Sequence, residues 1–122
     1  MKKSQFHEFN PVVYPIKLWV SVGEETFSPD FSIYPDGGII VVQKDRTAIT
    51  YFVYRNSDDM IGIIIHFPKK EYMTVKTIAH EARHAGDILF EYIGDDPQHS
   101  EPAAYFTGWV ADCIDKVRKG KI

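Results

Sequence analysis

The chain has 122 residues, of which 44% are hydrophobic and 14% aromatic, and its formal net charge is −3 at pH 7. This length and composition predict one folded domain, residues 1–122, and argue against intrinsic disorder. The weak negative charge and the scattered Lys and Arg residues give no electrostatic reason to expect nucleic acid or an anionic membrane as a partner.

The sequence also predicts the compartment of the protein. The N-terminal stretch MKKSQFHEFNP has two lysines but no apolar segment after them, so it does not predict a secretory signal. No apolar run approaches the roughly 20 residues of a membrane span. The single cysteine, Cys113, cannot form an internal disulfide. These features predict a cytoplasmic protein.

Segments typical of strands fill the first half of the chain. The first candidate is VVYPIKLWVSVG (12–23), in which Pro15 predicts an edge position or a bulge. YPDGG (34–38) predicts a turn. A meander with short polar connections is then expected from three apolar runs: IIVVQ (39–43), AITYFVYR (48–55) and MIGIIIHF (60–67). The last run is almost wholly apolar, which predicts a strand covered on both faces along much of its length.

Helical periodicity follows the strands. The first helix is expected over 74–93, with Thr74 as its N-cap and Gly94 after its last turn. Its apolar stripe has members three and four residues apart: Val75, Ile78, Ala82, Ala85, Leu89 and Tyr92. The second helix is expected over 101–119, after a possible N-cap at Ser100. Strands followed by helices predict an α+β fold, with a short antiparallel sheet of three or four strands before two helices.

The segment TIAHEARHAGD (77–87) lies inside the first predicted helix. His80 and His84 are four residues apart, so they project from the same face of a helix and can both reach one divalent metal. Glu81 lies about 100° around the helix axis, near that metal without having to ligate it. It can then accept a proton from metal-bound water. The alternative interpretation is a solvated polar face that binds no metal.

A catalytic zinc usually has three protein ligands and one water, so a third ligand is needed. Glu101, at the start of the second predicted helix, is the first candidate. A short loop between the helices can bring it back towards the two histidines. His99 and Asp87 are the alternatives, and the sequence leaves the choice open.

Accessory groups are also expected around such a centre. Tyr105, one turn after Glu101, is the first candidate for stabilising the oxyanion, followed by His66 and His99. Each has a structural interpretation as well: a packed aromatic, a strand-end histidine and a loop residue. The acceptors expected for the imidazole N–H groups, with Asp87 preferred, are Thr77, Asp87 and Glu91.

HEARH followed by EPAA resembles the gluzincins, zinc metallopeptidases with an H-E-x-x-H helix and a glutamate ligand on the next helix. The resemblance is carried by His80, Glu81, His84 and Glu101, and the order of elements agrees from about residue 39 to 119. It implies a minimal zincin-like fold, a zinc cofactor, and a peptide or protein substrate that pairs with an edge strand, here 60–67. No motif supplies the histidine or tyrosine that assists larger gluzincins. The segment EPAAYFTGWVADCI is also similar to small phage-type proteins.

The function predicted from these residues is that of a zinc-dependent peptidase. Zinc is expected to polarise the substrate carbonyl and to lower the pKa of its water to about 7, with Glu81 as general base. The alternative is a non-catalytic zinc-containing module of zincin-like fold that binds a partner protein.

Overall fold

The computed structural model describes residues 4–43, 45–94 and 101–121. They form two compact units that meet in the chain between Tyr72 and Met73. The first unit contains a five-stranded sheet and the second contains two helices, so the α+β class is confirmed. None of the helices in the described ranges has both the length and the apolar character that crossing a bilayer requires. The assignment of residues 1–122 to one domain stays a prediction.

The sheet is mixed, with more strands than the three or four predicted. Its strands are β1 (Gln5–Phe9), β2 (Lys17–Val22), β3 (Phe31–Ile33), β4 (Ile49–Arg55) and β5 (Ile61–Phe67). Their order across the sheet is β1-β2-β5-β4-β3. Strands β2 and β5 are parallel, and every other neighbouring pair is antiparallel. The prediction of a purely antiparallel sheet was therefore wrong.

The predicted strand over 39–43 was also wrong. Those residues form no strand, and the short strand β3 pairs with β4 in their place. After the predicted turn at 34–38, the chain forms one isolated antiparallel bridge, between Ile33 and Gly38. Ile39 and Val41 are 86% and 73% exposed, whereas Ile40 is buried. The apolar run thus alternates as a strand would, but β3 already occupies the edge of β4.

The first predicted strand is shorter than expected. Strand β2 begins at Lys17, after Pro15, which lies in a bend. It is an internal strand, because β1 pairs with its outer side. Pro15 therefore marks neither an edge nor a bulge. It precedes the strand, where its missing N–H costs no ladder hydrogen bond.

Strand β5 is at the centre of the sheet. Residues 62–67 are buried, which confirms the prediction of a covered strand. Both of its edges are paired, one with β2 and one with β4. The expectation that 60–67 forms the substrate-binding edge strand was therefore wrong, since no ladder hydrogen bonds remain for an added peptide along this strand.

One face of the sheet is organised around Trp19, which is fully buried. Its ring lies against Gly62 on the neighbouring strand β5, where an added Cβ would collide with the ring and with the carbonyl of Lys17. Other members of the same buried cluster come from strands and loops of this unit: Phe27, Phe31, Ile40, Val53 and Ile64. The absent side chain at Gly62 is thus what lets the indole fill the core.

The helical unit agrees with the sequence. Helices α1 (Val75–Tyr92) and α2 (Glu101–Lys119) confirm the ranges predicted from periodicity. Thr74 is the N-cap of α1, and its side chain accepts a hydrogen bond from Thr77 N at 3.2 Å. The apolar stripe differs at its ends, because Val75 and Tyr92 are exposed.

Three contacts establish that α1 and α2 run antiparallel. Arg118 Nη1 donates to Met73 O at 3.3 Å, before the first turn of α1. Thr107 lies against Gly86 in the middle of the pair. The Phe90 and Phe106 rings meet near the other end, with centroids 6.2 Å apart. Residues early in α2 therefore lie beside the C-terminal end of α1.

The contact between Trp19 and Gly62 generates a stability prediction. Gly62→Ala should lower the free energy of unfolding by about 1–3 kcal/mol, because the new methyl group overpacks a core that cannot relax around a backbone carbonyl. Gly108→Ala is the matched control, since an added Cβ there meets nothing within 4 Å. Urea denaturation measures both variants. Equal stabilities for Gly62→Ala and the native chain would contradict this account of the core.

Candidate metal centre

His80 and His84 lie together on the exposed side of α1. Their Nε2 atoms are 3.0 Å apart. The ring centroids are 4.6 Å apart and the ring planes are nearly perpendicular, at 83°. The helical spacing thus does what the sequence predicted, since it directs one nitrogen of each imidazole to a shared point.

Glu81 completes the group from the buried side of the helix. It is only 5% exposed, whereas 66% of the His80 side chain is accessible. Its Oε2 lies 3.9 Å from His80 Nε2. One ligand atom from each of His80, Glu81 and His84 lies within 4.8 Å of the others. Glu81 thus adds a buried carboxylate to the two accessible imidazoles.

The geometry of this group fits a small divalent cation. Tetrahedral zinc with Zn–N bonds of about 2.0–2.1 Å holds two nitrogen ligands about 3.3 Å apart. The observed 3.0 Å separation of the two Nε2 atoms needs only a slight opening to reach that value. Two imidazoles and a carboxylate also suit several first-row metals, so the three residues do not set the identity of the ion. In a metal-free chain, one imidazole would donate a hydrogen bond to the other.

Glu101 is not part of this group. It is the exposed first residue of α2, before Ala103 and Phe106. Because Phe106 meets Phe90, the antiparallel register places Glu101 beside the last turn of α1. His84 lies six residues before Phe90, about 9 Å along the helix axis. The assignment of Glu101 as third ligand stays a prediction. Of its two alternatives, His99 lies outside the described residues, and Asp87 is not part of the group either.

Tyr105 is also apart from the group. It is 76% exposed. Ala103 and Thr107, two residues to either side of it, are the residues that approach Gly86 of α1. A step of two residues turns a helix by about 200°, so Tyr105 projects away from α1. Its proposed action on an oxyanion stays a prediction.

Three residues were expected to accept hydrogen bonds from the imidazole N–H groups: Thr77, Asp87 and Glu91. Asp87 and Thr77 bond to other side chains, and Glu91 lies near the end of α1. Asp87 Oδ1 accepts a hydrogen bond from Arg83 Nε at 3.0 Å, one turn earlier on the same helix. Thr77 Oγ1 accepts from Thr74 Oγ1 at 3.1 Å as part of the helix cap. Glu91 is exposed near the end of α1. In the described part of the chain, Asp87 thus pairs with a guanidinium and not with an imidazole.

His66, the other oxyanion candidate, belongs to the sheet unit. It is 2% exposed, and its Nδ1 lies 2.9 Å from Ser21 Oγ across the parallel pair of strands β5 and β2. Burial lowers the pKa of its imidazole below the usual value. The structure therefore engages His66 in a hydrogen bond inside the sheet. Its role at an oxyanion stays a prediction.

Gly86 is a supporting residue that the sequence analysis missed. It lies two residues after His84, and an added Cβ would collide with Thr107 Oγ1. Small residues at helix crossings let two backbones approach closely. A glycine inside an otherwise regular helix was the available signal, since its cost of about 1 kcal/mol relative to alanine calls for a packing reason.

Comparisons of the chain with protein-family models, with curated protein sequences and with solved structures found no match. The interpretation of the candidate centre therefore rests on the geometry and chemistry of His80, Glu81 and His84. Those three residues have the spacing of an H-E-x-x-H motif and the mutual distances of a metal-binding group.

The helix crossing generates a double-mutant prediction. Gly86→Ala should destabilise the chain by about 1–3 kcal/mol, because its methyl group meets the Thr107 hydroxyl. Thr107→Ala removes that obstacle, and the nearest remaining contact, 3.8 Å to Thr107 Cβ, is an ordinary one. In the Thr107→Ala background, Gly86→Ala should therefore be neutral or stabilising by up to about 1 kcal/mol. Thermal or urea unfolding measures the cycle, and equal destabilisation in both backgrounds would contradict the contact.

Proposed function

We propose that the chain is a zinc-dependent peptidase in which His80 and His84 bind the metal and Glu81 acts as general base. The observation that carries this proposal is the convergence of three potential ligand atoms within 4.8 Å on a single helix. Two of these are imidazole nitrogens 3.0 Å apart, and the third belongs to a buried carboxylate.

Zinc fits the donor atoms of this group better than the hard cations do. Imidazole nitrogens suit zinc, copper, iron and nickel, whereas magnesium and calcium prefer oxygen ligands. When zinc is bound at such a centre, it polarises a carbonyl group and makes water acidic enough to react near neutral pH. This is the Lewis-acid chemistry that hydrolysis of a peptide bond requires.

Glu81 is placed to move the proton in that reaction. Its Oε2 lies 3.9 Å from His80 Nε2, so it is adjacent to the proposed ligands. In the proposed mechanism, Glu81 takes a proton from the attacking water and later delivers it to the leaving amine. Its burial holds the carboxylate in a restricted position, which favours efficient proton transfer.

Glu101 is our proposed third ligand, with Tyr105 as the proposed oxyanion donor. A glutamate oxygen suits a zinc site with two histidines, since two imidazoles and one carboxylate form a familiar catalytic ligand set. Both residues are exposed on α2 and lie outside the group formed by the three α1 residues. Their participation requires the first turns of α2 to approach His84 more closely.

The exposed positions of Glu101 and Tyr105 favour one alternative function. In that alternative the chain is a non-catalytic, zinc-containing module that binds a partner protein. His80 and His84 would then hold the metal, and Glu81 would be a buried structural carboxylate. The two functions differ in what they require of Glu81, because only an enzyme needs its ionised carboxylate as a base.

Replacement of Glu81 by glutamine separates the two functions. The peptidase proposal expects hydrolysis of a quenched fluorescent peptide library to fall by about 10²- to 10⁴-fold, with zinc content unchanged. Glu71→Gln, an exposed carboxylate in the segment before α1, is the matched control and should keep full activity. A zinc-loaded native chain without hydrolytic activity would favour the binding module, and an active Glu81→Gln variant would exclude Glu81 as the base.

The same preparations test the third ligand. Loss of a residue that hydrogen-bonds to a metal ligand typically weakens metal binding roughly 10- to 100-fold. If Glu101 is itself a ligand, Glu101→Ala should weaken zinc binding by more than this. Unchanged zinc affinity in this variant would remove Glu101 from the ligand set and leave the two imidazoles as the proposed ligands.

A further inference from the structure

A second candidate site lies in the sheet unit. A cleft of about 390 Å³ opens there, lined by residues that include Phe6, Glu8, Asp30, Phe31 and Arg55. Its volume falls in the range of about 300–1,000 Å³ that is usual for small-ligand pockets. No residue of the proposed metal centre lines it.

One wall of the cleft is aromatic. The Phe6 ring packs against Phe27 and Phe31, with centroids 6.0 and 5.8 Å apart, and Phe31 meets Trp19 at 4.9 Å. Trp19 is fully buried, whereas Phe6 remains 40% exposed. The cleft therefore presents an aromatic surface that is held in place from behind. Such a surface can cover an aliphatic chain or face a cation.

The polar groups at the cleft are organised around Arg55. Its Nε and Nη2 donate to the two oxygens of Asp58 at 3.0 and 2.7 Å, and its Nη1 donates to Glu8 Oε1 at 3.0 Å. The same Glu8 oxygen accepts from Trp19 Nε1 at 2.9 Å. Arg55 is thus matched by two carboxylates, and an anionic ligand would compete with both of them.

The balance of charge at the cleft is negative. Glu8 has a second cation near it, because Lys17 Nζ lies 3.8 Å from Oε2. The hydrogen bond from Trp19 leads the interactions that hold the pKa of Glu8 below its usual value, so its carboxylate is ionised near neutral pH. Asp30 is exposed, and no cation pairs with its carboxylate among the residues that the structure describes. The lining residues Glu8, Asp30 and Arg55, counted together with their ion-pair partners Lys17 and Asp58, thus carry three negative charges and two positive ones.

Strand β1 supplies a way for a peptide to reach the cleft. Among the described strands it pairs only with β2, so no described strand uses the hydrogen-bonding groups of its other edge. Phe6 and Glu8 alternate with more buried neighbours along β1, so both lie on the cleft side of the strand. A peptide that added a strand here would place every second side chain beside them.

We propose that this cleft binds a basic side chain of an extended peptide that pairs with the outer edge of β1. The aliphatic part of the lysine or arginine side chain packs on Phe6, and its cationic head is bound by Asp30 and by Glu8 Oε2. This site is independent of the proposed metal centre, so either proposal can fail without the other.

The test uses the metal-free full chain, labelled with ¹⁵N, and three blocked tripeptides. These are acetyl-Val-Lys-Val-amide, its arginine analogue, and its norleucine analogue, which keeps the aliphatic chain but lacks the charge. At least one basic peptide should shift the amides of residues 5–9 and the Trp19 indole resonance. The norleucine peptide should bind roughly five- to tenfold more weakly, because it lacks the ion pairs with Asp30 and Glu8.

Two variants with the same change in net charge test whether the basic peptide binds at Asp30. Asp30→Asn should weaken binding of the basic peptide roughly two- to fivefold, as expected for a partly exposed ion pair. Asp36→Asn changes the net charge equally but lies in the turn at 34–38, outside the cleft lining, and should leave binding unchanged. Equal weakening by both variants, equal binding of the norleucine peptide, or no shift at β1 with millimolar basic peptide would each overturn the proposal.

Discussion

The 3.6-residue period of helix α1 is the constraint on which the candidate metal centre depends. Four residues advance the helix by slightly more than one turn, so His80 and His84 share its exposed side and their Nε2 atoms meet at 3.0 Å. One residue turns the helix by about 100°, which takes Glu81 to the buried side while its carboxylate stays near His80. A single secondary-structure element therefore supplies two accessible nitrogens and one sheltered carboxylate. The centre needs no long-range contact to bring these three groups together.

The packing of α2 on α1 determines what else can join them. The two helices are antiparallel, with contacts along their whole length. These contacts join Met73 to Arg118, Gly86 to Thr107, and Phe90 to Phe106. The close approach at Gly86 turns Ala103 and Thr107 towards α1, and the same rotation turns Tyr105 to solvent. It also leaves Glu101 beside the last turn of α1, beyond the level of the histidines. The packing of the helix pair therefore leaves both Glu101 and Tyr105 outside the group formed by His80, Glu81 and His84.

The sequence predicted the elements that are formed by local interactions. It did not predict the short strands and the strand pairings that depend on distant segments. Apolar periodicity placed both helices, and Thr74 and Gly94 marked the ends of α1, the helix that carries the two histidines. These signals were sufficient because a helix closes its hydrogen bonds within its own segment. Strands β4 and β5 were also predicted. Short strands β1 and β3 were missed, because five or three residues acquire strand structure only from their neighbours. The parallel pairing of β2 with β5 joins distant segments and has no local signal. The pairing of Asp87 with Arg83 required knowledge of side-chain geometry.

The central claim is that His80 and His84 bind one zinc ion together. It is tested most directly by the zinc-to-protein ratio of chain that is purified without a metal-affinity tag, loaded with zinc and dialysed. We predict one zinc per native chain and per His7→Ala chain, because His7 lies on β1 and bonds to Gln5. Replacement of both His80 and His84 by alanine should abolish uptake. A native chain that retains no zinc, or a doubly substituted chain that retains as much as the native one, would contradict the claim.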